Sequence, residues 1–85
     1  MTRVLTWYDK HGDYLYDATG EEGLAKAALT ILQERLDQGY LSYPDDAEEK
    51  AGKILLAQDG AAAYEFLRDR DDHEYERIEL TEVRS

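Results

Sequence analysis

The sequence contains no cysteine and no apolar run long enough to cross a membrane. Without cysteine the chain can form neither a disulfide framework nor a thiolate zinc site, and it has no cysteine nucleophile. A membrane-spanning helix needs roughly 18 or more apolar residues, and the first residues, MTRVLTWYDKHG, lack the charged, apolar and small-residue order of a secretory signal. The absence of a spanning run and of a signal predicts a soluble cytoplasmic protein with no membrane contact, whereas the absence of cysteine leaves the redox compartment open.

Serine and histidine are scarce, which limits the possible catalytic chemistry. The two serines, Ser42 and Ser85, lack the glycine-flanked setting of a nucleophile elbow. The two histidines, His11 and His73, are predicted to lie in a hairpin turn and in a polar connection. No glycine-rich loop matches a phosphate-binding pattern. The sequence therefore predicts neither an enzyme nor a bound cofactor.

Basic residues are outnumbered two to one, with 20 acidic and 10 basic side chains and a net charge of −10. Such a field repels nucleic acids and anionic membranes, so direct nucleic-acid binding is not expected. The segment from Asp45 to Glu82 contributes 13 acidic and 5 basic residues, and thus most of the net charge.

The segment RVLTWYDKHGDYLYDATG is typical of a β-hairpin, because β-branched and aromatic runs flank a turn containing Gly12. A three-residue loop over positions 10–12 would place Asp9 opposite Asp13. In that register Leu5, Trp7 and Leu15 face the core. The opposite face of the hairpin would carry Val4, Thr6, Tyr8, Tyr14 and Tyr16.

A helix is predicted over residues 20–38. Thr19 and Glu22 have the spacing of a capping box, and Gly39 follows where a left-handed C-terminal cap is expected. Apolar residues recur at the spacing of one helical face. They are Leu24, Ala27, Ala28, Ile31, Leu32 and Leu36.

Two further helical segments and a final strand complete the pattern. The second helix begins near Ser42 or Asp45, with acids in its first turn. A break at Gly60 precedes a third helix, although one long bent helix is the alternative. The last segment, EYERIELTEV, alternates like a strand with Ile78 and Leu80 on one face, and it can pair only with the hairpin.

These elements predict one α+β domain over residues 1–85, with the order ββααβ or ββαααβ. Three mostly antiparallel strands form a sheet with helices packed on one face and the other face open. The predicted core consists of Leu5, Trp7, Leu15, Leu24, Ala28, Ile31, Leu32, Ile54, Leu55, Phe66, Leu67, Ile78 and Leu80.

Clustered acidic residues in RDRDDHEYERIEL raise the possibility of a divalent-metal site. Such a site would use Asp69, Asp71, Asp72, His73 and Glu74, since hard cations bind carboxylate oxygens. The spacing fails the EF-hand pattern, because Glu74 would replace its glycine and Leu80 its last glutamate. A solvated end of a helix followed by a strand is the favoured interpretation.

Two surfaces are candidates for binding another protein. The tyrosine face consists of Tyr8, Tyr14, Tyr16 and Tyr75, since tyrosine is common at interfaces, although it also stabilises sheets without a partner. The acidic helical face consists of Asp45, Asp46, Glu48 and Glu49, whose charges also suit the start of a helix.

The order of ERLDQGY, a short acidic helix start and LRDRDDHEYERIEL resembles that of small uncharacterised acidic proteins encoded by phages and bacteria. The resemblance covers about half of the chain. It implies an accessory protein that modulates a host factor, and it transfers no functional residue.

The predicted function is therefore a small, acidic, non-enzymatic protein-binding domain of accessory or regulatory kind. One alternative is an acidic mimic of nucleic acid that blocks a DNA- or RNA-binding protein. A second is a divalent-metal-dependent enzyme or metal-binding protein. The partner would be another protein, and a homodimer is open as well because a sheet edge or an uncovered face can self-associate.

Overall fold

The computed structural model describes residues 2–10, 12–41, 45–70 and 76–83. Three strands and three helices follow in the order ββαααβ. The strands are β1 (Thr2–Asp9), β2 (Gly12–Asp17) and β3 (Arg77–Val83). The helices are α1 (Gly20–Asp37), α2 (Ala47–Ala57) and α3 (Gly60–Asp69). The predicted α+β class and element order are confirmed.

The three strands form one antiparallel sheet with β1 in the middle, in the order β2-β1-β3. Trp7 of β1 pairs with Ile78 of β3, and Leu5 pairs with Leu80. All four side chains therefore lie on the face that packs against the helices, as the alternation of β3 predicts. Helix α1 contacts β1 and β2, and α3 contacts β3, whereas α2 contacts only the other two helices.

The predicted register of the hairpin is wrong by one residue. Asp9 pairs with Gly12, so two positions rather than three separate the paired residues, and Gly12 has a φ of +143° that favours glycine. Because strand side chains alternate, this shift exchanges the two faces of β2. Tyr14 and Tyr16 lie on the core side, while Leu15, predicted to be buried, is 67% exposed.

Helix α1 begins and ends almost where the sequence predicts. At its C-terminus Gly39 adopts a φ of +77°, and the Tyr40 and Gly39 amides donate to the carbonyls of Arg35 and Leu36. These are the two hydrogen bonds of a Schellman cap. The capping box is not formed, because the Thr19 hydroxyl instead donates to Asp17 (2.7 Å) and accepts from the Arg3 amide. Thr19 thus links the start of α1 to the sheet.

Helices α2 and α3 are separate, so the predicted break is confirmed over the alternative of one bent helix. Gln58 ends α2 in a left-handed conformation with a φ of 54°. The Asp59 carboxylate then accepts a hydrogen bond from the Ala62 amide (3.1 Å) and caps α3. Asp46 is the N-cap of α2, rather than Asp45 or Ser42, and Ser42 lies outside the described residues.

The core lies between the sheet and α1, and between α1 and the other two helices. Of the predicted core residues, all except Leu15 are buried or packed against the buried cluster. Ala18 and Leu41 are also fully buried, although no sequence pattern identified them. Many of the buried helical positions are alanines, which let the helices approach closely.

Helices α1 and α3 approach closely where Gly60, at the start of α3, lies against Ala25 of α1. A Cβ atom added at Gly60 would lie 2.6 Å from the Ala25 Cα. We expect Gly60→Ala to lower the free energy of unfolding by about 1–3 kcal/mol through overpacking. Gly52→Ala is the matched control, because Gly52 lies inside α2 with open space around it. It should instead stabilise the protein by about 0.5–1 kcal/mol, as measured by urea denaturation.

The end of α3 is tied to the residue before β3 by a buried ion pair. The Arg70 guanidinium donates through Nε and Nη2 to the two carboxylate oxygens of Glu76, each at 2.7 Å. This two-bond geometry fixes the guanidinium plane as well as the distance. The pair therefore positions β3 for its addition to β1, across a segment, 71–75, that lies outside the described residues.

Candidate functional site

The four members of the predicted tyrosine face do not share one surface. Tyr8 lies on the side of the sheet away from the helices, with the Arg77 guanidinium 5.2 Å from its ring centre. Tyr14 and Tyr16 lie on the opposite, core side. Tyr75 is outside the described residues. The prediction that Tyr8, Tyr14 and Tyr16 form one outward face is wrong because of the shifted register.

Tyr14 belongs to a buried charged cluster at the hairpin end of the sheet. The ring of Tyr14 lies 4.2 Å from the guanidinium carbon of Arg35, which is only 1% exposed. Arg35 Nη1 donates to Asp9 Oδ2 at 2.8 Å, and the same oxygen accepts from the Trp7 indole at 3.1 Å. The cluster joins α1 to the loop end of β1 and places Tyr14 where it supports the fold.

The charge of Arg35 is retained despite its burial. Burial acts to lower the pKa of Arg35, but its contacts with Tyr14 and Asp9 outweigh burial and raise that pKa. Its Nε and Nη2 atoms have no hydrogen-bond partner within the described structure. The face of the Tyr14 ring partly compensates them, since cation–π contacts stabilise a desolvated guanidinium by about 1–2 kcal/mol.

Tyr16 is held by a second contact to α1. Its hydroxyl donates to Glu34 Oε2 in a short hydrogen bond. Burial and the neighbouring Glu34 carboxylate disfavour the tyrosinate and raise the pKa of Tyr16 to about 12. Both tyrosines of β2 are thus anchored to α1, and this anchoring fixes the orientation of the strand.

The raised pKa of Tyr16 predicts a loss of stability in alkali. A tyrosine in the unfolded chain ionises near pH 10, whereas Tyr16 in the fold ionises near pH 12. The contribution of Tyr16 is therefore complete below pH 10 and is lost as the pH rises to 12. Ultraviolet absorbance of tyrosinate should show a late ionisation step that Tyr16→Phe removes and Tyr8→Phe leaves in place. Loss of that late step in Tyr8→Phe would contradict the assignment.

The side of the sheet away from the helices, here called the open face, carries the exposed apolar groups of the strands. Leu15 is 67% and Val83 45% exposed, whereas Thr6, between Leu15 and Glu79, is covered by its neighbours. None of the described helices packs on this face, because α1 and α3 lie on the core side. The open face consists of Thr2, Val4, Thr6, Tyr8, Asp13, Leu15, Asp17, Arg77, Glu79, Thr81 and Val83.

The acidic helical face lies at the start of α2, where Asp45, Asp46, Glu48 and Glu49 are all exposed. Two of the four charges are compensated within the helix. Lys50 lies 3.1 Å from Asp46, and Lys53 lies 3.5 Å from Glu49. Such pairs stabilise a helix by about 0.2–0.5 kcal/mol and weaken its external field. The observed pairing favours the helix-start interpretation.

Most of the predicted metal-binding and histidine residues lie outside the described part of the chain. His11 and His73 lie outside the described residues, as do Asp71, Asp72 and Glu74, while Asp69 ends α3. Among the residues described, no three histidine or acidic side chains are grouped to hold a metal. In the same part of the chain, no helix is both long and apolar enough to span a membrane.

Arg35 is the residue that sequence reasoning missed. It follows Ala28, Ile31 and Leu32 at spacings of seven, four and three residues, so it lies on the apolar stripe of α1. An arginine on the apolar stripe of a helix indicates a buried partner of opposite charge, because burying an isolated charge is energetically costly. The partner, Asp9, is distant in sequence and could not be identified from spacing.

Comparisons of the chain with protein-family models, curated proteins and solved structures yield no match.

Proposed function

We propose that this chain is a small, acidic, non-enzymatic protein-binding domain of accessory or regulatory kind. The resemblance to small phage and bacterial acidic proteins suggests that its partner is a host factor. The observation that carries the proposal is the exposure of Leu15 in the middle of β2 on the open face. A large apolar side chain beside other uncovered strand residues is typical of a docking surface.

The composition of the open face supports docking without deep burial. Tyr8 and Val4 flank Thr6 on the central strand, and Val83 is exposed on β3. Arg77 donates to Glu79 at 2.8 Å, so the one basic group of the face is paired within the chain. Apolar and hydroxyl groups at the centre, with charges around them, match the arrangement of protein interfaces.

The test is affinity capture from a cell extract, followed by measurement of the affinity for the captured protein. Leu15→Ser should weaken binding by about tenfold or more if Leu15 anchors the interface. Leu56→Ser is the matched control, because Leu56 is 90% exposed on α2, which contacts no strand. Equal affinities of the two variants would contradict docking through the open face.

Docking through the acidic helical face would give different results in the same assay. Docking led by Asp45, Asp46, Glu48 and Glu49 should weaken steeply with salt and fail after charge reversal of Glu48. Docking centred on Leu15 should tolerate Glu48→Lys. Replacing Tyr14 and Tyr16 with alanine would not test docking, because both side chains stabilise the fold.

A further inference from the structure

Strand β2 lies at an edge of the sheet. It pairs with β1 on one side, and no other described strand pairs with its outer edge. The unpaired amide and carbonyl groups of an edge strand can hydrogen-bond an added strand from another chain. The six residues of β2 offer a template about 17 Å long.

The open-face side chains of β2 form a distinctive row of acid, leucine and acid. Asp13, Leu15 and Asp17 occupy alternate positions, and all three are exposed. Asp17 Oδ1 accepts hydrogen bonds from the Thr19 amide (3.0 Å) and hydroxyl (2.7 Å), and these lower the pKa of Asp17. Asp17 is therefore negatively charged at neutral pH, and Asp13 adds a second formal charge to the row.

The other edge strand lacks this character. On β3 the Arg77 guanidinium lies 2.8 Å from the Glu79 carboxylate, so the two charges compensate each other. Asp13, in contrast, makes no ion pair among the described residues. The charge pattern thus distinguishes β2 as the edge that a cationic segment would select.

A second copy of this chain does not suit the β2 edge. Antiparallel self-pairing centred on Leu15 would place Asp13 of each copy opposite Asp17 of the other. Like charges directly opposite each other destabilise strand pairing. The net charge of −10 on each copy adds to the repulsion.

We propose that the outer edge of β2 binds, by strand addition, an extended segment of a partner protein with a cationic, an apolar and a cationic residue at alternate positions. The proposal rests on the proposed protein-binding function and names the partner's chemistry. Cross-strand neighbours are about 4.5–5.5 Å apart, so lysines or arginines would meet Asp13 and Asp17 while the apolar residue covers Leu15. Because Tyr14 and Tyr16 are anchored to α1, the template is already in place before binding.

The direct test uses the synthetic peptide TKTVTKT with blocked ends and follows the backbone amides of the protein by NMR. The amides of residues 12–17 should shift, and affinity should fall as salt rises. The charge-reversed peptide TETVTET should bind at least about tenfold more weakly. Absence of binding by TKTVTKT at millimolar concentration, or equal binding of the two peptides, would overturn the proposal.

Matched variants separate strand addition from general attraction to an acidic protein. Asp13→Lys should weaken TKTVTKT and strengthen TETVTET, whereas Glu48→Lys, which changes the net charge equally, should do neither. Peptides N-methylated on alternate residues test the backbone hydrogen bonds of the added strand. Only one of the two alternating sets of peptide amides points toward β2, so only methylation of that set should weaken binding. Equal effects of Asp13→Lys and Glu48→Lys, or insensitivity to both N-methylation phases, would overturn strand addition.

The results also distinguish this proposal from the broader one. If TKTVTKT shifts open-face amides of β1 and β3 but not those of β2, strand addition is wrong while open-face docking stands. If Leu15→Ser leaves binding of the captured partner unchanged, open-face docking is wrong whatever the peptide does.

Discussion

Replacing Trp7 with alanine is expected to lower the free energy of unfolding by about 3–5 kcal/mol. Trp7 is 1% exposed and lies on the central strand, between Tyr14 of β2 and Ile78 of β3. Its removal leaves a cavity that three strands and α1 cannot close without moving. It also removes the indole donor to Asp9, which lies 3.1 Å away.

Chemical denaturation followed by far-ultraviolet circular dichroism measures this loss, since Trp7 is the only tryptophan and the tryptophan fluorescence signal is lost with it. Trp7→Phe should cost clearly less, because most of the volume is retained. Leu56→Ala, at a 90% exposed position, should change stability by no more than about 0.5 kcal/mol. A loss below about 1 kcal/mol in Trp7→Ala would contradict the central role of the ring in the core.

The fold was predictable because several local signals agree. The spacing of Ala28, Ile31 and Leu32, followed by Gly39, indicates the course and the end of α1, and both are observed. The alternation around Ile78 and Leu80 similarly indicates β3 and its inward face. Each of these signals depends on residues close in sequence, which is where periodicity and turn chemistry are informative.

The register of the hairpin was not predictable in the same way. The segment DYLYD places three large apolar side chains in succession, so either phase of the strand buries a plausible set. Within the hairpin itself only the loop length distinguishes the two phases, and Gly12 suits a loop of two or of three residues. The observed phase buries parts of two tyrosines and exposes one leucine, because Arg35 and Glu34 on α1 bind Tyr14 and Tyr16.

That tertiary contact also changes the candidate site. Tyr14 and Tyr16, which the sequence predicted in a docking surface, instead anchor the edge strand β2 to α1. The exposed residues of that strand are Leu15 and the aspartates on either side of it, Asp13 and Asp17. The packing of α1 decides which face of β2 is exposed to solvent. The alternation of residues within a strand carries no information about that packing.

Replacing Arg35 with methionine is the second change with a large expected effect, about 3–5 kcal/mol. Methionine retains much of the length and apolar contact of the arginine stem, so the loss comes mainly from the charge. The Asp9 carboxylate, whose side chain is 7% exposed, would lose the cation 2.8 Å from it. Removing one member of a buried ion pair is strongly destabilising, even though the Trp7 indole still donates to the Asp9 carboxylate.

A double-mutant cycle with Asp9→Asn separates this charge effect from lost packing. Asparagine still offers an oxygen to the Trp7 indole but carries no charge, so the Arg35→Met/Asp9→Asn variant should be more stable than the sum of the two single losses predicts. The expected coupling is about 1–3 kcal/mol by urea denaturation. Arg68→Met serves as the control, since Arg68 is exposed on α3 and should change stability by about 0.5 kcal/mol or less. Additive losses would show that Arg35 stabilises the fold by packing on Tyr14 and Tyr40 rather than through Asp9.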